Sequence, residues 1–125
     1  MQVLQFRPTE QINVNQDRLG ALYSQLGEAG AEDVVCRALE DLARRLTQCE
    51  NHFRDAEWDH LRKSARSLIA ISDQIGMADL AKVAGDVALC IDKNDATALA
   101  ATLSRMFRIG ERSLTAIWDI DHMPH

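Results

Sequence analysis

Few residues of this chain have types that could do chemistry: His52, His60, His122 and His125, Cys36, Cys49 and Cys90, and a stripe of arginines at Arg105, Arg108 and Arg112. The C-terminal run WDIDHMPH gathers Asp119, Asp121, His122 and His125, which are metal-ligating types at spacings that match no closed site. Their terminal position favours a frayed tail. His52 falls near a helix end, where a histidine commonly meets the terminal carbonyls. The cysteines are odd in number and widely spaced, which suits neither a disulfide framework nor a paired-thiolate metal site. Each is expected to be a small buried hydrophobe, and a reducing compartment follows. The arginine stripe, with Arg44 and Arg45 on another helix, lies among Glu111 and an acidic surplus. A solvated face is expected there, with an anionic partner as the sharper alternative. A Gly-rich phosphate loop, a Gly-x-Ser-x-Gly elbow and a histidine set beside a nucleophile are all missing from the sequence. The expectation is a protein that is not an enzyme and carries no metal or cofactor.

One further set is defined by position on a helix. Asp59, Arg62, Lys63, Arg66, Ile69, Ala70 and Asp73 each lie within three or four residues of a neighbour in the set, so they form a ridge one step outside the apolar seam of their helix. A solvated ridge held by pairs such as Asp59 with Lys63 is the simpler reading, each pair contributing a few tenths of a kcal/mol. The alternative is a docking surface, with Ile69 as the apolar residue that an interface would bury.

The elements that must position these residues are helices. From Val35 the apolar positions run Leu39, Leu42, Leu46, Cys49 and Phe53, in alternating steps of four and three. That is the seam of a helix packed nearly parallel to its neighbours. A second seam runs Trp58, Leu61, Ala65, Leu68, Ser72 and Ile75, and the short polar stretch at Arg54 and Asp55 makes the two an antiparallel hairpin. Gly76 punctuates. Leu80, Val83, Val87 and Cys90 or Ile91 mark a third helix, ending at Lys93, Asn94 and Asp95, with Asp95 as the next N-cap. The fourth runs from Ala96 to Trp118, with Gly110 as its weak point. A shorter helix from Gln16 to Leu26 presents Leu19, Leu22, Tyr23 and Leu26 on one face and caps the bundle end. Trp58 and Trp118 are expected to pack at bundle ends. The expected fold is all-α: an up-down-up-down antiparallel four-helix bundle with a short N-terminal capping helix. Residues 1–15 form an N-terminal extension, 16–118 the bundle and 119–125 a C-terminal tail.

At 125 residues, 46% apolar and 26% charged, the chain has material for one domain and one core. Its formal net charge of −5 disfavours nucleic acid and anionic lipid as partners. No apolar stretch reaches the roughly 18 residues needed to span a bilayer, and MQVLQFRPTE lacks the marks of a signal peptide, so the cytoplasm is expected.

Residues 65–77, ARSLIAISDQIGM, resemble the centre of histidine-containing phosphotransfer (HPt) domains, A-H-S-L-K-G-x-x-x-x-x-G. Ala65, Ser67, Leu68 and Gly76 match that frame. The approach EWDHLRKSARSL and the later DKNDATALAATLSRM are similar to the family's flanking segments, and the likeness spans about Arg18 to Ile117. The resemblance implies an HPt-like bundle in a bacterial-type phosphorelay. Arg66 occupies the slot of the phospho-acceptor histidine, Ile69 that of the family lysine and Ala70 that of a small residue, usually glycine. A guanidinium cannot serve as the nucleophile that an imidazole provides. The expectation is therefore a non-catalytic two-component signalling module that binds a response-regulator receiver or a histidine kinase, or dimerises, without carrying phosphate. Two alternatives stand beside it. One is active phosphotransfer through a non-standard histidine such as His60, which lies about 600° of helical rotation before Arg66. The other is a structural or oligomerising bundle unrelated to phosphorelays.

Overall fold

The structure is a computed structural model that describes residues 14–121, and those residues form helices joined by short turns. Helix α1 spans Gln16–Arg54, α2 Trp58–Gln74, α3 Ala78–Asp92 and α4 Ala96–Asp121. Asn15 caps α1, its side chain accepting from the Arg18 N–H at 3.1 Å. Asp95 does the same for α4, accepting from the Ala98 N–H at 3.0 Å, as its place after Lys93 and Asn94 suggests. Between helices the chain turns through Ala56 (φ 57°), Gly76 (φ 80°) and Asn94 (φ 55°), all in the left-handed region that ends helices.

The three short connections force antiparallel neighbours, and the packing follows: α1 on α2, α2 on α3, α3 on α4, with α4 closing back on α1. The expected four-helix bundle is what forms. Its core takes Val35, Leu42, Leu46 and Cys49 from α1, Leu61, Ala65 and Leu68 from α2, Leu80, Val83 and Val87 from α3, and Leu103, Met106 and Ile117 from α4. These are the seam positions of the sequence. Gly110 is less a weak point than a point of approach. A Cβ there would sit 2.8 Å from Leu46 Cδ1, so the missing side chain is what lets α4 close on α1.

The expected capping helix forms as the first leg of α1: residues 16–26 end at a kink at Gly27, whose φ of 75° and ψ of 172° are not helical, and the long leg begins after it. Leu19 is buried and Leu22 packs on the core, but Leu26 is exposed, so the apolar face of this leg stops short of its end. The C-terminal tail begins later than residue 119, because α4 continues to Asp121. Finally, Val14 pairs with Met77 in an isolated antiparallel bridge, so the end of the N-terminal extension lies against the α2–α3 turn. The rest of that extension, and His122 and His125 at the other terminus, lie outside the described residues. No helix among them is long and apolar enough to cross a membrane.

Candidate functional site

Helix α2 sets the ridge because its buried stripe is narrow: Leu61, Ser64, Ala65, Leu68 and Ser72 face inward, so positions one step away must emerge between α2 and its neighbours. Arg66 is exposed at the middle of the helix. Asp59, Lys63, Ala70 and Asp73 are exposed with it, while Arg62 and Ile69 are half-buried. The ridge is tied to α3. Arg62 Nε donates to Asp92 Oδ1 at 2.7 Å, so this cation reaches across the helix pair where the spacing had suggested Asp59 with Lys63.

Ile69 is not the free apolar residue that the spacing suggested. It packs against the core, with its Cδ1 3.8 Å from where a Cβ on Gly85 of α3 would stand. The two contacts Arg62 with Asp92 and Ile69 with Gly85 define one antiparallel register, with seven residues between the contacts on each helix. By that register Arg66 falls level with Ala88 and Leu89. Leu89 is 49% exposed, a leucine outside the α3 seam, and sequence reasoning passed over it. Its signal was present, since Leu80, Val83 and Val87 already account for the inward face and leave Leu89 without a place in it. The helix pair thus exposes an arginine and a leucine at about the same level, with Lys63 one turn away and acids at Asp59 and Asp73 toward the ends.

The four residues that carry the phosphotransfer resemblance each have a structural reason. Ala65 and Leu68 are fully buried in the core. The Ser67 hydroxyl donates to the Lys63 carbonyl at 3.0 Å, a local bond within its own helix. Gly76 adopts a positive φ and has the Asn15 carbonyl oxygen 2.7 Å from where its Cβ would be. The frame is thus compatible with packing alone.

The other sequence candidates sit apart from this face. His52, in the last turn of α1, does not engage the terminal carbonyls; its Nδ1 donates to Glu57 Oε1 at 3.0 Å. The His60 ring stands edge-on to that of His52, centroids 5.3 Å apart. The hydrogen bond from His52 holds the Glu57 carboxyl below the ordinary carboxylate range; desolvation opposes this, and the charges of His60 and His52 add to it. Trp58, 44% exposed, meets Phe53 edge-to-face at 6.0 Å and so packs at the bundle end, whereas Trp118 is 52% exposed on α4. Cys49 is buried and Cys90 half-buried, but Cys36 is exposed on α1, against the expectation for all three. Arg105 and Arg108 are exposed and Arg112 half-buried, with Arg108 donating to Ser104 Oγ at 3.2 Å. Asp119 lies on the exposed side of the last turns of α4.

Comparison of the chain with protein-family models, with curated proteins and with solved structures finds no match.

Proposed function

We propose that this protein is a non-catalytic binding module of the HPt-like kind, which docks a response-regulator receiver domain through the α2–α3 face and carries no phosphoryl group. The observation that carries the reading is Arg66, exposed at the centre of α2 and level with the exposed Leu89. An arginine beside an apolar anchor is the composition of an interface centre, where few residues supply most of the affinity. A receiver's phosphorylation pocket is a cluster of carboxylates, the surface to which a guanidinium binds with charge-assisted hydrogen bonds. The Arg62–Asp92 pair and the contact of Ile69 beside Gly85 join α2 to α3 beneath that face. The reading implies a cytoplasmic protein whose partner is another protein.

The test is incubation of the purified chain with a panel of receiver domains, phosphorylated and not, scored for stable complex and for acid-labile phosphoryl transfer. Binding without transfer, weakened at least about tenfold by Arg66→Glu, is the expected result. Transfer would overturn the reading and direct attention to His60. Absence of any complex would leave a bundle with a different partner.

A further inference from the structure

The hairpin between α1 and α2 brings together three ligand-type side chains that the sequence separates by five and three residues. His52 belongs to the last turn of α1, Glu57 is the residue before α2, and His60 lies in the first turn of α2. One donor atom from each lies within 4.8 Å of the other two. We propose that His52, Glu57 and His60 form a binding site for a divalent transition metal of the zinc class, which staples α1 to α2.

The geometry supports this in three ways. A tetrahedral ion with bonds of about 2.0–2.1 Å holds its ligand atoms roughly 3.3 Å apart. His52 Nδ1 and Glu57 Oε1, at 3.0 Å, already stand at that spacing. The third donor has to close by no more than about 1.5 Å, within reach of a rotation of the exposed His60 side chain. Second, the backbone that sets these positions is fixed. The Glu57 N–H donates to the His52 carbonyl at 2.8 Å, Ala56 turns the chain at φ 57°, and the Phe53–Trp58 ring pair closes the hairpin beside it. A site held by a hairpin of this kind binds without the cost of ordering a loop. Third, the donor set selects the metal. Two imidazoles and one carboxylate suit zinc, cobalt, nickel or copper, whereas calcium and magnesium take oxygen ligands. Asp59 lines the same surface depression as Glu57 and His60 and adds negative potential there. Three protein ligands leave at least one position open to solvent, so the site is open where structural zinc sites are closed by a fourth ligand.

This inference is independent of the docking face. His60 precedes Arg66 by six residues, about 9 Å along α2. The test is calorimetric titration of the full chain with Zn²⁺ alone, and with Mg²⁺ as a control, alongside the optical spectrum of the Co²⁺-loaded protein. The expected result is one saturable zinc equivalent, no response to magnesium, and a cobalt spectrum free of thiolate charge-transfer bands. His60→Ala keeps the His52–Glu57 hydrogen bond and should fold normally. It should lose at least the roughly 10- to 100-fold in zinc affinity that removal of even a supporting outer partner costs. Glu57→Gln should weaken zinc in the same direction. Unchanged zinc affinity in His60→Ala, a thiolate band in the cobalt spectrum, or no saturable zinc binding by the parent chain would each overturn the proposal.

Discussion

The Asn15 N–H donates to the Gly76 carbonyl at 2.7 Å, so the residue that caps α1 is also the residue that holds the turn between α2 and α3. The approach is close because Gly76 has no side chain. A Cβ there would meet the Asn15 carbonyl oxygen at 2.7 Å and its Cβ at 3.2 Å. Gly76→Ala should therefore cost at least about 2 kcal/mol, combining the left-handed backbone penalty with displacement of the capping residue. Urea denaturation reads this directly, and an unchanged midpoint would mean that the Asn15–Gly76 contact does not hold the turn.

The Arg62–Asp92 pair is bidentate in form, with Nη2 at 3.4 Å from the second carboxylate oxygen, yet its side chains are 37% and 47% exposed. Solvent and salt screen such a pair. A double-mutant cycle with Arg62→Ala and Asp92→Ala should give a coupling of about 0.5 kcal/mol that shrinks in high salt. A coupling well above about 1 kcal/mol would show that the α2–α3 face depends on this pair for its shape.

Arg66 and Leu89 separate binding from folding. Neither is buried, so Arg66→Glu and Leu89→Ala should each leave the unfolding free energy within about 0.5 kcal/mol of the parent. Both should weaken a receiver complex. Loss of binding by Arg66→Glu alone would confine recognition to the charge, and loss of stability in either would show that the face contributes to the fold.

The bundle was legible in the sequence because helix seams are redundant. Val35, Leu39, Leu42, Leu46 and Cys49 repeat one message, and the short polar joints at Asp55 and Asn94 leave few ways to arrange the helices. The same pattern did separate residues 16–26 from the long leg of α1, and the non-helical backbone at Gly27 lies between the two. What the period cannot express is a contact between elements. Ile69 read as exposed because the residues it packs against, Gly85 among them, are on other elements, and a contact between helices leaves no mark in the local pattern. The cluster of His52, Glu57 and His60 was hidden for a related reason. Each residue is unremarkable on its own helix, and only the reversal at Ala56 brings them together. The resemblance at Ala65, Ser67, Leu68 and Gly76 belongs with the legible part of the fold, because those four residues are explained by burial, a local hydrogen bond and a turn. Function, by contrast, rests on which side chains the fold leaves outside.

Cys49 offers a prediction in which the sign of the pH dependence decides. Its side chain is fully buried, and burial pushes the thiol from 9.0 up to about 12, with the positive charge of Arg45 opposing the rise. In the unfolded chain the thiol ionises near its ordinary value, while in the folded chain it stays protonated. The folded-state value is the higher one, so stability from this group is fully present below about pH 9 and is lost as pH rises through the interval up to about 12. Within that interval the loss approaches about 1.4 kcal/mol per pH unit. Cys49→Ala removes the group, so the parent should lose stability faster than the variant between about pH 8 and about pH 10.5 in parallel urea titrations, whatever the offset from the cavity. Equal slopes would show that the Cys49 thiol ionises in the folded bundle, and hence that water reaches the α1 seam at that position. Alkylation of the native protein tests the same point independently: the exposed Cys36 should react first, and Cys49 only as fast as the bundle opens.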